Sequence, residues 1–329
     1  MIKFFRKIRQ RLLSENKFSK YLIYAIGEII LVVIGILIAL AVNNYNEEKN
    51  AEAKVKLVFE ELFEELAANI SSVRNIASFY EEKDSLTHLV LNTDLKEQDY
   101  RYITLDFWRL TSTSDRVDLS NNVYNKLLLM NSAIPAEYSN VMKELYLLNQ
   151  KKSYVDLLDD RIGEYVKDIL DYRIYNYKWA IRYNEDAFAE YFLNDDRYKA
   201  NVKLLSERGI NEHFQHAIYY MQSAITCYKE LANLLNKPLD YTVLGFDRDI
   251  SKILIGDWVS EGFPGAVVTL YEEDDRLLYK SNIDLSGEFF MFSKSKLIST
   301  HIFFYTITQE KDEIILKQND SVTWQKTKD

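Results

Sequence analysis

A strongly apolar stretch near the start of the chain constrains the fold more than any other feature. It covers residues 21–42 and contains one charged side chain, Glu28. An α-helix rises 1.5 Å per residue, so this stretch would be about 33 Å long, enough to cross the hydrocarbon core of a bilayer. We therefore expect residues 20–46 to form a transmembrane helix.

The residues before this stretch are strongly basic, and they predict its orientation. Residues 1–20 contain one acidic residue, Glu15, and seven basic residues. The basic residues are Lys3, Arg6, Lys7, Arg9, Arg11, Lys17 and Lys20. Basic flanks of a membrane span stay on the cytoplasmic side, so residues 1–19 should form a cytoplasmic leader. That leader is either a helix on the inner leaflet or a plain solvated segment. The bulk of the chain should lie outside.

A cleaved signal peptide is the alternative interpretation of the apolar stretch. The stretch is longer than the usual apolar region of a signal peptide, which has about 7–15 residues. No A-x-A-like cleavage site precedes the polar residues that follow it. An uncleaved anchor is therefore favoured.

Four residues of the anchor form a candidate helix–helix contact. Gly27, Gly35 and Ala39 fall near one helical stripe, and Gly35 and Ala39 have the small-xxx-small spacing of packed membrane helices. Glu28 would lie in or near that contact, where a charge is costly without a partner. We expect self-association through this helix. The alternative is that Glu28 reaches the lipid headgroups and the glycines are incidental.

The amino-acid sequence of about the first fifty residues resembles that of a known family. The segments IKFFRKIRQ, SENKFSKYL and YAIGEIILVVIGILIAL resemble the start of an uncharacterised family of single-span membrane proteins from Bacteroidota. Ala41, Val42 and Tyr45 depart from that pattern, which usually has Gln, Ile and Trp there. Residues 124–146 and 192–209 continue the resemblance weakly. It implies an envelope protein of unknown biochemical function. With the orientation predicted from the basic flank, we expect the chain in the cell inner membrane with its bulk in the periplasm.

The composition after the anchor indicates a folded and acidic body. The net charge is −9 overall, although the seven basic residues and one acid of residues 1–20 contribute +6. An acidic body argues against nucleic acid as a partner. Cys227 is the single cysteine, which excludes an internal disulfide, and we expect it to be a small core residue.

Glycine and proline divide this body into two parts. Between Gly35 and Gly245 only Gly163 and Gly209 occur, so residues 47–236 predict an antiparallel bundle of long helices outside the membrane. The first helix should continue from the anchor, because apolar residues recur every three or four positions at Val55, Phe59, Leu62, Leu66, Ile70, Val73, Ala77 and Tyr80. Further helices are predicted near 119–133, 136–176, 185–193, 196–208 and 212–236. Gly209 suits a helix stop.

The last part of the chain predicts a small antiparallel β-domain over residues 251–329, after a linker at 237–250. Seven short runs are rich in β-branched and aromatic residues, at 256–261, 266–273, 276–281, 288–293, 301–309, 313–318 and 321–326. Such a meander should close as a small barrel or sandwich. The fold class expected for the whole chain is therefore membrane-anchored α+β.

The β-runs also resemble a small lipocalin-like β-domain. The resemblance rests on an opening strand with Gly256 and Trp258, a hairpin at 269–281 and a closing pair at 316–326. It implies a module that binds or packs, without an assured ligand. Barrels this small are often filled by their own side chains.

The search for reactive chemistry finds one compact cluster, formed by Glu212, His213 and His216. The two histidines share a helix face, but a metal site needs three or more converging ligands. They are weak metal candidates, and the alternative is a solvated or cap-adjacent pair. The acidic pairs at 159–160 and 195–196 fit surface or N-cap positions. We expect no enzyme activity and no cofactor.

Two functions from different classes fit these features. The first is a non-enzymatic interaction or scaffold protein of the cell envelope, which binds the bilayer and an envelope protein or ligand. The alternative is a ligand sensor that passes a signal through the anchor helix to a separate cytoplasmic partner. Only about 20 residues are predicted inside the cell, which favours the first.

Overall fold

The computed structural model describes residues 18–92, 95–130, 134–178, 185–310, 313–319 and 322–327. A helical region is followed by a closed barrel of eight antiparallel strands, which confirms the α+β class. The helices are α1 Phe18–Asn75, α2 Ala77–Asn92, α3 Glu97–Ser112, α4 Asn122–Leu129, α5 Ser139–Asn176, α6 Glu185–Asn194, α7 Asp196–Arg208, α8 Gln215–Leu235, α9 Tyr241–Leu244 and α10 Arg248–Leu254.

Helix α1 has two halves with opposite environments. Between residues 22 and 42 its large aliphatic side chains are 46–71% exposed. From Val55 onward one face is buried, and every apolar position of the expected pattern up to Tyr80 lies in the core. By length and composition, this is the one helix in the described part of the chain that is long and apolar enough to cross a membrane.

The core of the helical region forms where α1, α5 and α8 pack side by side. Phe63 of α1 stacks on Tyr228 of α8 with ring centroids 4.2 Å apart. Six residues further along α1, the Asn69 amide donates to the Tyr220 hydroxyl at 2.8 Å. Later residues of α1 thus meet earlier residues of α8, so the two helices are antiparallel, as a bundle with short connections requires.

Helix α4 is held by a carboxylate from a neighbouring helix. Glu65 of α1 accepts the Ser120 hydroxyl at 2.6 Å and the Val123 backbone N–H at 3.2 Å. The first N–H groups of a helix have no partner within the helix, so this carboxylate acts as its N-terminal cap. The helix expected over 119–133 therefore begins at Asn122 and not at residue 119, and residues 131–133 lie outside the described part of the chain.

A second, smaller cluster joins α2, α3, α6 and α7. Its buried centre is formed by Phe107, Phe192 and Tyr198, and the Tyr198 hydroxyl donates to the Phe107 carbonyl at 3.0 Å. Asp195 caps α7 by accepting the Tyr198 backbone N–H at 3.0 Å, which confirms its expected N-cap role. Helix α3 was not among the helices expected from the sequence.

The expected helix stop at Gly209 is wrong. Gly209 has a right-handed backbone conformation, and the chain continues through a π-helical segment, Gly209–Phe214, directly into α8. Glycine is needed there for another reason. A Cβ atom at Gly209 would lie 3.0 Å from Cε1 of Tyr80, so its absence lets the Tyr80 ring approach the segment.

The barrel is a simple meander in which each strand pairs with the next and β8 returns to β1. Its strands are β1 Gly256–Val259, β2 Val267–Glu273, β3 Arg276–Ser281, β4 Ser286–Ser293, β5 Lys296–Ser299, β6 Phe304–Glu310, β7 Glu313–Gln318 and β8 Val322–Lys326. The seven expected runs correspond to seven of these strands. The four-residue β5 was missed because it lies in a mostly polar stretch, KSKLIST.

Large side chains occupy the interior of the barrel. The strand registers place Trp258, Leu270, Tyr279, Leu297 and Trp324 on the inner face, and each is at most 7% exposed. This agrees with the expectation that a barrel of this size is filled by its own residues.

The outer face of β4, β5 and β6 is also buried, because it packs against the helices. Phe290 pairs with Ile298, and Ile298 pairs with Phe304, so the three side chains form one row on the outside of the barrel. Each is at most 3% exposed. Phe304 stacks against Phe214 of the π-helical segment at 6.0 Å. Helices and barrel therefore share one hydrophobic core.

Polar contacts fix the same junction. Arg74, at the end of α1, donates from Nε to the Met291 carbonyl at 2.9 Å and from Nη1 to the Thr242 carbonyl. The backbone N–H of Met291 donates to the Gly245 carbonyl at 2.8 Å. The segment proposed as a linker at 237–250 contains α9 and the start of α10, and it buries Leu244 in the shared core.

We predict opposite effects for two glycine-to-alanine substitutions. In Gly287→Ala the new Cβ would lie 2.1 Å from Oγ1 of Thr300 and 2.7 Å from the Tyr279 hydroxyl, so the free energy of unfolding should fall by about 1–3 kcal/mol. Gly163 lies within α5, and a Cβ atom added there would meet nothing within 4 Å. Gly163→Ala should therefore raise the free energy of unfolding by about 0.5–1 kcal/mol. Urea unfolding of both variants tests this. Equal effects would contradict the packing described for β4.

Candidate functional site

The structure does not bring Glu212, His213 and His216 together as a metal site. His213 is fully buried, His216 lies on a surface groove, and Glu212 forms an ion pair with Arg208. Across the described residues, no group of three or more His, Cys, Asp and Glu side chains could hold a metal ion. The alternative of a solvated or cap-adjacent pair is wrong for His213, because the π-helical segment turns this residue into the core.

His213 is the centre of a buried polar contact between three helical elements. Its Nδ1 lies 2.5 Å from the hydroxyl of Tyr80 on α2, and its Nε2 lies 2.8 Å from Oδ1 of Asp159 on α5. The second pair is within contact distance but lacks the angle of a hydrogen bond. Asp159 is 6% exposed, so the surface position expected for it is wrong.

Proton positions at this centre follow from the neighbours of the Tyr80 hydroxyl. Burial raises the pKa of Tyr80, and the nearby charges of Asp159 and Asp115 raise it further. Tyr80 therefore keeps its proton and can donate it to Nδ1 of His213. The Tyr80 hydroxyl is thus the donor of this contact and Nδ1 of His213 the acceptor.

This buried centre links the helices to the barrel. The Tyr80 ring stacks on Phe214 with centroids 4.8 Å apart, and Phe214 in turn stacks on Phe304 of β6. Because its side chains are buried, the centre has no direct contact with solvent. It is suited to fixing the arrangement of α2, α5 and the barrel, and not to meeting a ligand.

A surface groove between α5 and α8 is the best candidate for ligand contact. It has a volume of about 540 Å³, which lies within the range of roughly 300–1,000 Å³ typical of ligand sites. The groove is lined by Glu144, Leu147, Gln150, Lys151, Tyr154, His216, Tyr219, Gln222 and Ser223. His216 is the one histidine of the expected cluster that lies here, and burial lowers its pKa, which favours the neutral ring.

A smaller cavity of about 220 Å³ lies between α2 and α3. Lys83 lines it, and its ammonium group donates to the Thr113 carbonyl at 2.5 Å and to the Leu110 carbonyl at 3.4 Å. These carbonyls are at the end of α3, where a helix attracts positive charge. Burial lowers the pKa of Lys83 to about 8. We read Lys83 as a cap for this helix end.

The candidate contact residues of the anchor lie on the exposed half of α1. Cβ atoms added at Gly27 and Gly35 would meet nothing within 4 Å, and Ala39 is exposed. Glu28 is half-buried on the same half of the helix. The basic residues Lys3, Arg6, Lys7, Arg9, Arg11 and Lys17 lie outside the described residues, as does the side chain of Lys20.

Residues 28–125 match the model of a family of unknown function (DUF6090). The match begins inside the apolar half of α1 and ends in α4, so it covers 98 of the 329 residues. It supports the resemblance to an uncharacterised family over these helices and leaves the groove and the barrel outside. No curated protein and no solved structure matches the chain.

We predict that Tyr80→Phe destabilises the protein by about 1–3 kcal/mol. The substitution removes the hydroxyl that faces Nδ1 of His213 and leaves a fully buried nitrogen without a partner. Tyr175→Phe is the matched control, because Tyr175 is 85% exposed, and it should change stability by less than about 0.5 kcal/mol. Urea unfolding measures both, and equal values would contradict the role assigned to the Tyr80 hydroxyl.

The low pKa of Lys83 predicts a rise in stability with pH. Between pH 8 and 9 an unfolded lysine stays protonated, whereas the folded chain releases this proton. The free energy of unfolding should then rise with pH by up to about 1.4 kcal/mol per unit more than it does in Lys83→Met. Lys203→Met is the control, because the Lys203 side chain is 68% exposed, and it should keep the wild-type slope. If the free energy of unfolding of Lys83→Met rose with pH as steeply as that of the wild type, the low pKa of Lys83 would be refuted.

Proposed function

We propose that this chain is a single-pass protein of the cell inner membrane, with a cytoplasmic N-terminus and a periplasmic bulk, that acts as a non-enzymatic interaction or scaffold protein. The observation that carries the proposal is the two-sided character of α1. Within one helix, a half whose large aliphatic side chains are exposed continues into a half with one face buried in the bundle core.

The length of α1 supports a folded region that is held at a distance from the membrane, where it can bind a partner. Between the apolar residues that end at Val42 and the buried Val55 lie twelve polar or small residues, nearly all of them exposed. As one continuous helix they are about 18 Å long. This stalk would hold the groove and the barrel clear of the lipid headgroups, where an envelope partner could reach them.

The shared core also favours a scaffold. The barrel is joined to the helices by the Phe214–Phe304 stack, by Arg74 and by the Lys296–Glu81 ion pair at 2.6 Å. A barrel filled by its own side chains offers its outer surface and not an interior cavity. Self-association through Gly27, Glu28, Gly35 and Ala39 remains part of the proposal, because Cβ atoms added at Gly27 and Gly35 would meet nothing within 4 Å and Ala39 is exposed.

A ligand sensor is the second candidate, and the continuity of α1 favours it. Only Ile76 separates α1 from α2, which carries Tyr80 of the buried centre. A shift at this centre could therefore reach the membrane helix without passing a flexible hinge. Recovery of a cytoplasmic partner that crosslinks to residues 1–19 would favour the sensor, and recovery of a periplasmic partner alone would favour the scaffold.

The topology is tested by reporter fusions and intact mass. We expect a reporter that is active only outside the cytoplasm to be active when fused after Asp329 and when fused after Glu48. The mass of the mature protein should include residues 1–46. Activity of a cytoplasmic reporter at Asp329 would contradict the orientation. A mature chain that begins after Val42 would contradict the anchor and establish the cleaved signal peptide.

A further inference from the structure

The groove between α5 and α8 has the shape of an elongated binding site. Glu144 and Tyr154 mark its ends on α5 and are ten residues apart, so the groove is about 15 Å long. Lys151 contacts Ser223, and Tyr154 contacts His216, so the two walls run antiparallel. Such a length suits a short linear ligand that lies along the helices.

One end of the groove is an aromatic platform. The His216 ring lies 4.6 Å from that of Tyr154 and 5.8 Å from that of Tyr219, and both contacts are edge-on. Tyr154 and Tyr219 nevertheless remain 43% and 38% exposed. Edge-on packing against His216 thus holds two tyrosine rings in place and leaves part of each available for stacking.

Hydrogen bonds fix Tyr219 before any ligand is present. The Gln215 amide donates to the Tyr219 hydroxyl at 2.8 Å, and Lys151 donates to the Tyr219 carbonyl at 3.4 Å. Lys151 also donates to the Ser223 hydroxyl and so joins the two helices across the groove. A site that is ordered in advance loses less entropy when it binds its ligand.

Apart from Leu147, the remaining lining groups are polar, and their charges balance. Gln150 can donate and accept hydrogen bonds. The Gln222 amide donates to Oε2 of Glu288 at 3.5 Å and keeps its carbonyl oxygen and a second amide hydrogen for a ligand. The negative charge of Glu144 offsets the positive charge of Lys151. A strongly charged ligand would find no excess of opposite charge here. The matching chemistry is that of a neutral molecule with many hydroxyl or amide groups and with flat apolar faces.

Two other classes of ligand fit the groove less well. An extended peptide that adds a strand needs a free sheet edge, whereas both walls are helices with satisfied backbones. An amphipathic helix needs a row of apolar anchors, but Leu147 is the one aliphatic side chain in the lining. A sugar ring, in contrast, presents C–H groups on its faces and hydroxyl groups on its edge.

We propose that the groove between α5 and α8 binds a neutral oligosaccharide, with sugar rings stacked on Tyr154 and Tyr219 and hydroxyl or acetamido groups bonded to Gln150, Gln222 and Lys151. This inference deepens the proposed function, on which it rests for access to envelope glycans. It names the ligand class that the extracytoplasmic body would recognise.

The test uses the full-length protein in nanodiscs and titrates tetra-N-acetylchitotetraose and cellotetraose by calorimetry. We expect saturable binding of at least one of them. Tyr154→Ala and Tyr219→Ala should each weaken that binding about tenfold, which corresponds to about 1.4 kcal/mol. Tyr154→Phe should keep it, because the ring remains. Tyr175→Ala is the matched control, since Tyr175 lies on the same helix outside the groove and is 85% exposed.

Three results would overturn the inference. These are no binding of either tetrasaccharide, equal losses in Tyr175→Ala and Tyr154→Ala, and preferred binding of a sulfated oligosaccharide of the same length. Circular dichroism of each variant checks that the fold is kept. The reporter fusions test the location independently, so a periplasmic body that binds no glycan would refute the groove assignment alone.

Discussion

The packing of helix α1 is the constraint on which the rest of the structure depends. One helix passes from a half whose apolar side chains are exposed on all sides to a half with a single buried face. In the second half Val55, Phe59 and Leu62 recur at helical spacing, so the bundle can cover only that face. The positions of α4, α5 and α8 follow, because each supplies side chains that cover this stripe or its edges.

The barrel is placed by the far end of the same helical layer. Arg74 and Glu81, on α1 and α2, contact the barrel at Met291 and Lys296, and Tyr80 between them reaches Phe304 through Phe214. The barrel is therefore oriented relative to α1 by several contacts of different kinds, and relative movement would have to break them together.

Much of this architecture follows from residue patterns, because apolar side chains with helical or strand spacing report which face is buried. These patterns correctly predicted the row of buried apolar residues on α1 and seven of the eight strands. It failed where a polar residue is buried by a distant partner, as Asp159 and His213 are, since nothing local marks the pairing. It failed at Gly209 because the glycine serves the close approach of Tyr80, a residue 129 positions earlier in the chain. The sequence did not assign the groove, because tyrosines at helical spacing fit a buried core as well as the wall of a ligand groove.

Helix α8 connects the candidate binding site to α1. Tyr220 and Tyr228 on one of its faces pack on α1, whereas His216, Tyr219 and Ser223 on another face line the groove. A ligand that orders the groove would stabilise α8, and the contacts of α8 with α1 would then become more favourable as well. Ligand binding in the groove and coupling to the proposed anchor helix α1 are thus compatible in one structure. What separates a scaffold from a sensor is whether α1 has a second arrangement whose stability such a ligand changes.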